Sequence, residues 1–189
     1  YRKSASMTLP QPHLTTRRLL LRGFQLSDAP RVALLIGDFD IARMVSSIPH
    51  PYEEEMATEW IRGHESQLNS QTALHYAIVR QADHLLIGAI GLAFDWQNRS
   101  AELGYWIGKP YWNQGYATEA AQAVLKFAFG ELGLNRVEAQ HITKNPASGK
   151  VMQKLGMTYE GTLRQAIYLF GNFEDAALYS ILRREFTDA

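Results

Sequence analysis

The stretch that most constrains this chain runs from Tyr111 to Ala128. Tyr111-Trp112-Asn113-Gln114-Gly115-Tyr116-Ala117-Thr118-Glu119-Ala120 is a turn-forming segment that leads straight into a helix. Apolar residues at 117, 120, 121, 124, 125, 128 and 132 fall on one helical face. Ala101 to Ile107, just upstream, has strand character. Strand, tight glycine turn and helix N-terminus together aim several backbone N–H groups, with the positive end of a helix dipole, at one point. Such a point suits a phosphate. The same residues also make an ordinary loop-to-helix connection, and the motif alone does not separate the two.

The rest of the chain divides by period. Leu19 to Phe24 is a first strand. Ser27-Asp28-Ala29-Pro30 opens a helix with Ser27 as N-cap, and that helix runs through Val32, Leu35 and Ile36 to Gly37. A second helix follows Pro51. Its Glu53-Glu54-Glu55 run reads as carboxylates placed against a helix dipole rather than as a metal site. From Ala73 the pattern alternates. Strands at Leu74–Ile78, Leu85–Phe94 and 101–107 form an antiparallel meander. After the central helix, capped near Gly133, come a strand over Arg136–His141 and a helix opened by Asn145-Pro146-Ala147-Ser148. Two last strands cover Met157–Leu163 and Ala176–Leu182. This is an α+β layout around one mixed sheet, with a tail over residues 1–13 and a single domain over 14–187.

At 189 residues the chain can bury a sizeable core. Its 19 basic and 19 acidic residues cancel, so no global field draws it to nucleic acid or anionic membrane. Zero Cys excludes a disulfide scaffold and a thiolate nucleophile, and fits a cytoplasmic protein. The apolar run Leu85 to Phe94 is too short to span a bilayer. No GxGxxG, P-loop or GxSxG motif occurs. The six histidines (13, 50, 64, 75, 84, 141) never fall at i, i+3 or i, i+4, so no metal pair is visible and metal catalysis is not expected.

Several segments in this order resemble the GCN5-related N-acetyltransferases, and within them the ribosomal-protein-alanine/serine acetyltransferase group. The carriers are Thr16-Arg17-Arg18-Leu19-Leu20-Leu21-Arg22, Ile87-Gly88-Ala89-Ile90-Gly91-Leu92 and Ala101-Glu102-Leu103-Gly104-Tyr105-Trp106-Ile107-Gly108. They continue with the 111–120 stretch, Asn145-Pro146-Ala147-Ser148 and Lys154-Leu155-Gly156-Met157. The resemblance implies a seven-stranded, mostly antiparallel mixed sheet with helices on both faces and a splayed central strand pair. It also implies acetyl-coenzyme A as co-substrate, without a metal, and an amine acceptor; dimerisation is common among such proteins.

The resemblance makes the loop a pyrophosphate cradle, with backbone N–H groups from Gln114, Gly115, Tyr116, Ala117 and Thr118 donating to phosphate oxygens. Trp112 and Asn113 stand where the family often has a cation and a Gly, so a phosphate contact must come from elsewhere. The pantetheine arm would enter beside Trp106 and Ile107, bonding to Ile107, and Asn145 would be a coenzyme ligand as well as a helix cap. Ser148 would protonate the departing thiolate, because the residue seven beyond Asn145 is Met152, with no proton to give. Glu102 is the candidate base, an ion pair with Arg99 being its plainer role. A second family carboxylate has Ile167 in its place. The acceptor mouth would involve Ser46 to His50, the second helix and Tyr168 to Glu174.

Deprotonating an α-amine at pH 7 costs about 1 kcal/mol and a lysine about 4.6 kcal/mol, so a site with so uncertain a base suits an N-terminal α-amine better. The reaction expected is direct acetyl transfer to a protein N-terminus, as on a ribosomal protein. The alternatives are a small amine (polyamine, amino acid or antibiotic) and a non-catalytic acyl-coenzyme A-binding module.

Overall fold

The computed structural model describes residues 9–45 and 48–187. Its strands are β1 (Leu14–Thr15), β2 (Leu19–Arg22), β3 (Ala73–Arg80), β4 (Leu85–Asp95), β5 (Ser100–Ile107), β6 (Arg136–Ile142), β7 (Thr158–Leu169) and β8 (Asn172–Leu182). The helices are α1 (Ala29–Ile36), α2 (Phe39–Ala42), α3 (Glu54–Asn69), α4 (Tyr116–Gly130) and α5 (Pro146–Lys154). All strands join one sheet in the order β1-β2-β3-β4-β5-β6-β8-β7, antiparallel except for β5 against β6. The sheet therefore has eight strands rather than the seven expected; the two-residue β1 is too short to leave a period in sequence.

Helices cover both faces. α4 and α5 pack on one face, where Ala120, Ala121, Val124, Leu125 and Ala128 are fully buried against Leu103, Ile107, Val137 and Ala139. That is the predicted apolar stripe. The other face carries α1, α2 and α3 through Val32, Leu35, Ile41, Ala57 and Ile61, which meet Ala77, Val79, Ala89 and Trp106.

Two local expectations are corrected. Ser27 does not cap α1. The Asp28 carboxylate accepts from Gln25 N (2.8 Å) and from the Arg22 guanidinium (2.8 and 2.9 Å), which winds Leu26–Asp28 into a 3-10 turn and starts the helix at Ala29. The final hairpin is longer than predicted. Gln165 at φ 52° anchors a bulge by donating its backbone N–H to Asp175 (2.8 Å), and the exposed outer strand beyond it lacks alternation to read. The segment assigned to a tail also packs on the domain: Leu9 is buried in the core, and Gln11 and Pro12 bond to His75 O (2.6 Å) and the Tyr76 hydroxyl (2.9 Å).

One feature of the sheet sets up the site. β5 and β6 pair only from Ser100↔Arg136 to Glu102↔Glu138. Beyond that point β5 stays on β4 as far as Gly88↔Ile107, and β6 stays on β8 as far as Ile142↔Ala176. Each strand is held by its outer neighbour, so the inner edges diverge. This is the splay that the resemblance implied.

Candidate active site

The splay opens into a cleft of about 690 Å³, within the range of small-molecule sites. β5, β6, the loop before α4, the first turn of α4, and α5 line it. Strand alternation puts Glu102, Gly104 and Trp106 on one face of β5 and Leu103, Tyr105 and Ile107 on the other. Trp106 packs with the α1–α3 layer, whereas Leu103 and Ile107 pack with α4 and α5. Glu102 and Tyr105 therefore reach the cleft from opposite faces of the sheet.

The loop entering α4 has the expected strained turn. Gly115 is the N-cap residue at φ 80°, and Asn113 also has positive φ, at 60°. Asn is one of the few side chains that tolerate this region, which is how the loop survives without a second glycine. Asn113, Gly115, Tyr116, Ala117 and Thr118 line the cleft. Gln114 does not: its side chain turns back to Pro110 O (3.2 Å), and its carbonyl accepts from Arg18 Nη1 (3.0 Å).

Charge comes from the opposite wall. Lys150 and Lys154, one turn apart on α5, line the same cleft, and among the described residues neither has a carboxylate partner. They can supply the cation that position 112 lacks. Trp112 has a different role from a phosphate contact, for its indole Nε1 donates to Ile107 O at 2.6 Å. Gly108 N–H is taken by Ile87 O (2.8 Å) on the β4 side, so alternation turns the polar groups of Ile107 into the opening. Of the backbone groups of Ile107, the residue expected to bond the pantetheine arm, the carbonyl is thus already engaged by Trp112.

The α4 N-terminus is braced from behind. Glu119 accepts from Thr16 Oγ1 (2.7 Å), Arg18 N (2.9 Å) and Arg18 Nε (2.7 Å), which ties the turn before β2 to the first turn of α4. Burial works against its ionisation, but these donors outweigh it and hold the carboxyl below its ordinary range. Arg18 also lies over the Tyr116 ring, 4.4 Å from its centroid. This brace gives a physical reason for the Thr16-Arg17-Arg18 segment that the sequence could not supply.

On α5, Asn145 is the N-cap, its Oδ1 accepting from Ser148 N at 3.3 Å, an interaction worth about 1 kcal/mol. Ser148 Oγ lies 2.9 Å from the Tyr105 hydroxyl. Met152 is buried in the core beside α4. Glu102 sits at the last paired position before the splay, is exposed, and accepts from Gln140 Nε2 at 3.1 Å. The alternative Arg99 pairing is not made; Arg99 Nη2 donates to Gly133 O at 2.6 Å.

At the far end, Ile41, Arg43, Met44, Val45 and Ile167 line the cleft. Ile167 pairs across strands with Glu174, whose carboxylate is bonded to Lys144 (2.7 Å). A carboxylate thus lies beside Ile167, contributed by the neighbouring strand. Phe39 and Phe170, both exposed, bring α2 and the hairpin tip within 5.3 Å of each other by ring centroids. Of the expected mouth segment, Ser46 and Ser47 fall outside the described residues, and the His50 ring meets that of Phe39 at a tilt, with centroids 5.0 Å apart.

Sequence reasoning missed Tyr105, Gln140 and Glu119. Tyr105 alone had a usable signal, since alternation from Glu102 puts it on the opposite face, next to any helix covering that side.

Residues 18–158 match the family described as "Acetyltransferase (GNAT) domain". The uncharacterized N-acetyltransferase YoaA of Bacillus subtilis (strain 168) is 32% identical over 173 residues, covering 91% of this chain and 97% of its own. The ribosomal-protein-serine acetyltransferase of Escherichia coli (strain K12) is 32% identical over 83 residues, 44% of this chain and 46% of that protein. Among solved structures, the coenzyme A complex of RimL, a ribosomal alpha-N-protein acetyltransferase, shares the fold with a TM-score of 0.84 at 22% identity, covering 90% of this chain and 98% of its own.

Proposed function

This chain belongs to the GNAT acetyltransferase family and is an N-acetyltransferase; from that premise we propose that it carries an acetyl group from acetyl-coenzyme A directly to the α-amine of a protein N-terminus. The observation that carries the reading is that Glu102 and Ser148 enter one cleft from opposite sides of the splayed sheet. Acetyl-coenzyme A supplies the activated acetyl thioester. The Gly115 loop, with N–H groups at a helix N-terminus, and Lys150 and Lys154 suit its phosphates.

Glu102 takes the proton of the incoming amine on the α1–α3 side. Ser148 donates to the departing sulfur on the α4–α5 side. With a base and a donor on separate faces, and no cysteine to carry an acyl group, transfer is direct.

A protein acceptor is supported by the far mouth. Apolar Ile41, Met44, Val45 and Ile167 with the aromatic pair Phe39 and Phe170 offer contacts to residues beyond the reacting amine. Glu102, which lines the cleft, suits its positive charge. The ribosomal-protein-serine acetyltransferase among the relatives points the same way, and the absence of cysteine fits action in the cytoplasm.

The test is transfer of radiolabelled acetyl from acetyl-coenzyme A to ribosomal N-terminal peptides, polyamines and amino acids, read by mass. Label should appear on peptide α-amines and disappear when the N-terminus is blocked. Labelled polyamines with unlabelled peptides would end the protein-acceptor reading. Glu102→Gln should lower kcat by about 10²-fold, as loss of a general base does, with coenzyme affinity kept.

A further inference from the structure

The Tyr105 hydroxyl is a half-buried polar group in the cleft wall for which the reaction above has no use. It lies 2.9 Å from Ser148 Oγ and 3.2 Å from Ser148 O, at the end of a ring that packs with the α4 and α5 core. Nothing about a tyrosine at a strand midpoint requires its hydroxyl to meet the first turn of a helix.

We infer that Tyr105 is a positioning residue for acetyl transfer, its hydroxyl donating into Ser148 Oγ so that the single proton of the serine points at the departing sulfur. The inference rests on Ser148 being the donor to that sulfur. A serine hydroxyl has one proton and two lone pairs, and left alone it rotates to whichever acceptor is nearest. Here that acceptor is the Tyr105 oxygen itself. When Tyr105 donates instead, the serine proton has to be used on the cleft side. Burial pushes the Tyr105 phenol up to about 12, although its bond to Ser148 pulls the other way, so the phenol keeps its proton across any practical assay pH. It therefore has a proton to donate, and Ser148 Oγ at 2.9 Å is a nearer acceptor than Ser148 O at 3.2 Å.

The arrangement also compensates for Met152, which has no proton to offer and is buried in the core. During transfer the amine nitrogen bonds to the acetyl carbon, the carbon–sulfur bond breaks, and its electron pair goes to sulfur. The amine proton passes to Glu102 and then to water. The thiolate, held by Ser148 until release, takes its proton from water. Tyr105 stays protonated throughout, and no oxidant or further reactant is needed.

Tyr105→Phe keeps the ring and removes only the hydroxyl, so the fold and coenzyme A affinity should hold. On whichever amine the protein acetylates, Ser148→Ala should lower kcat about 10²-fold, the usual loss for one donor to a developing charge. Tyr105→Phe should lower it about tenfold. The double variant should equal Ser148→Ala, because a positioning group has nothing left to position. With the acetyl selenoester of coenzyme A, whose selenolate leaves readily, the Tyr105→Phe penalty should shrink to within about twofold of wild type. If Ser148→Ala matters but Tyr105→Phe does not, or if the two penalties multiply, Tyr105 has no such role. An unchanged kcat in Ser148→Ala would instead remove the serine assignment beneath it.

Discussion

Trp112 Nε1 donates to the carbonyl oxygen of Ile107 at 2.6 Å, fastening the loop before α4 to the strand it has just left. The bond fills an acceptor on the inner edge of β5, where the splay leaves no partner strand. Trp112 thus orders the glycine loop before α4 by hydrogen bonding.

Trp112→Phe keeps an aromatic ring there and deletes the donor. A net hydrogen bond of about 1 kcal/mol predicts coenzyme A binding weakened by about fivefold. The freed carbonyl can accept from a coenzyme amide, which offsets part of that loss, so about fivefold is the ceiling. Calorimetric titration measures it; tighter binding by the variant would show that the tether restrains rather than prepares the loop.

Gly149 has a single spatial reason to be glycine. A Cβ there would stand 2.7 Å from His141 Nε2, and the His141 ring is held in place by Nδ1–H donating to Ile142 O at 2.8 Å. Helix propensity alone says that Gly149→Ala should stabilise α5 by about 1 kcal/mol. Overpacking predicts the opposite sign, a loss of about 1–3 kcal/mol. Thermal unfolding should show Tm lower by several degrees, partly restored by adding His141→Ala. A Tm above wild type would mean that His141 yields freely.

Glu119→Gln tests the brace behind the first turn of α4. It leaves the Arg18 guanidinium without its anionic partner in a half-buried site, with an expected loss of about 1–3 kcal/mol at pH 7. The folded-state carboxyl lies below its usual range, so its contribution is full above the unfolded value near 4.5 and is lost as pH falls through the folded one. Urea unfolding should show a clear gap between variant and wild type at pH 7 that narrows as the medium is acidified below pH 4. A gap constant with pH would assign the effect to packing.

His64 and His75, eleven residues apart in sequence, stack with ring centroids 4.3 Å apart, enclosed by Phe24 and Trp60. Among the described residues, both ring nitrogens of His64 are buried without a hydrogen-bond partner. Desolvation lowers His64 to about 3, with His75 adding repulsion, and lowers His75 to about 4. Between pH 6.5 and these values the unfolded chain binds protons that the folded one refuses, so stability falls as pH falls through that window. Between pH 7 and 5, where carboxylates change little, Tm should drop by about 10 °C. His64→Phe should flatten the drop. An equal drop in the variant would locate the pH dependence elsewhere.

How far the sequence reached can be argued from single residues. The apolar stripe of α4 was legible because a helix facing a sheet must repeat its buried positions, and Ala120, Ala121, Val124, Leu125 and Ala128 are all fully buried. Asn145 as a cap was legible because the backbone N–H that its side chain accepts from, that of Ser148, is three residues away along the chain. Ser27 misled because a capping residue type does not reveal that Asp28 is claimed by Arg22 and Gln25.

The sequence by itself determined what is local: which segments are strands and helices, where the glycine turn stands, and which residues could carry a proton. Tertiary structure alone decided which of those residues meet. Tyr105 and Ser148 are 43 positions apart, Arg18 and Glu119 are 101, and His64 and His75 have no shared period. Such contacts depend on the sheet order and on where β5 and β6 stop pairing, both set by the packing of the whole core. A one-dimensional pattern records neighbours along the chain, whereas the chemistry here is done by neighbours across it.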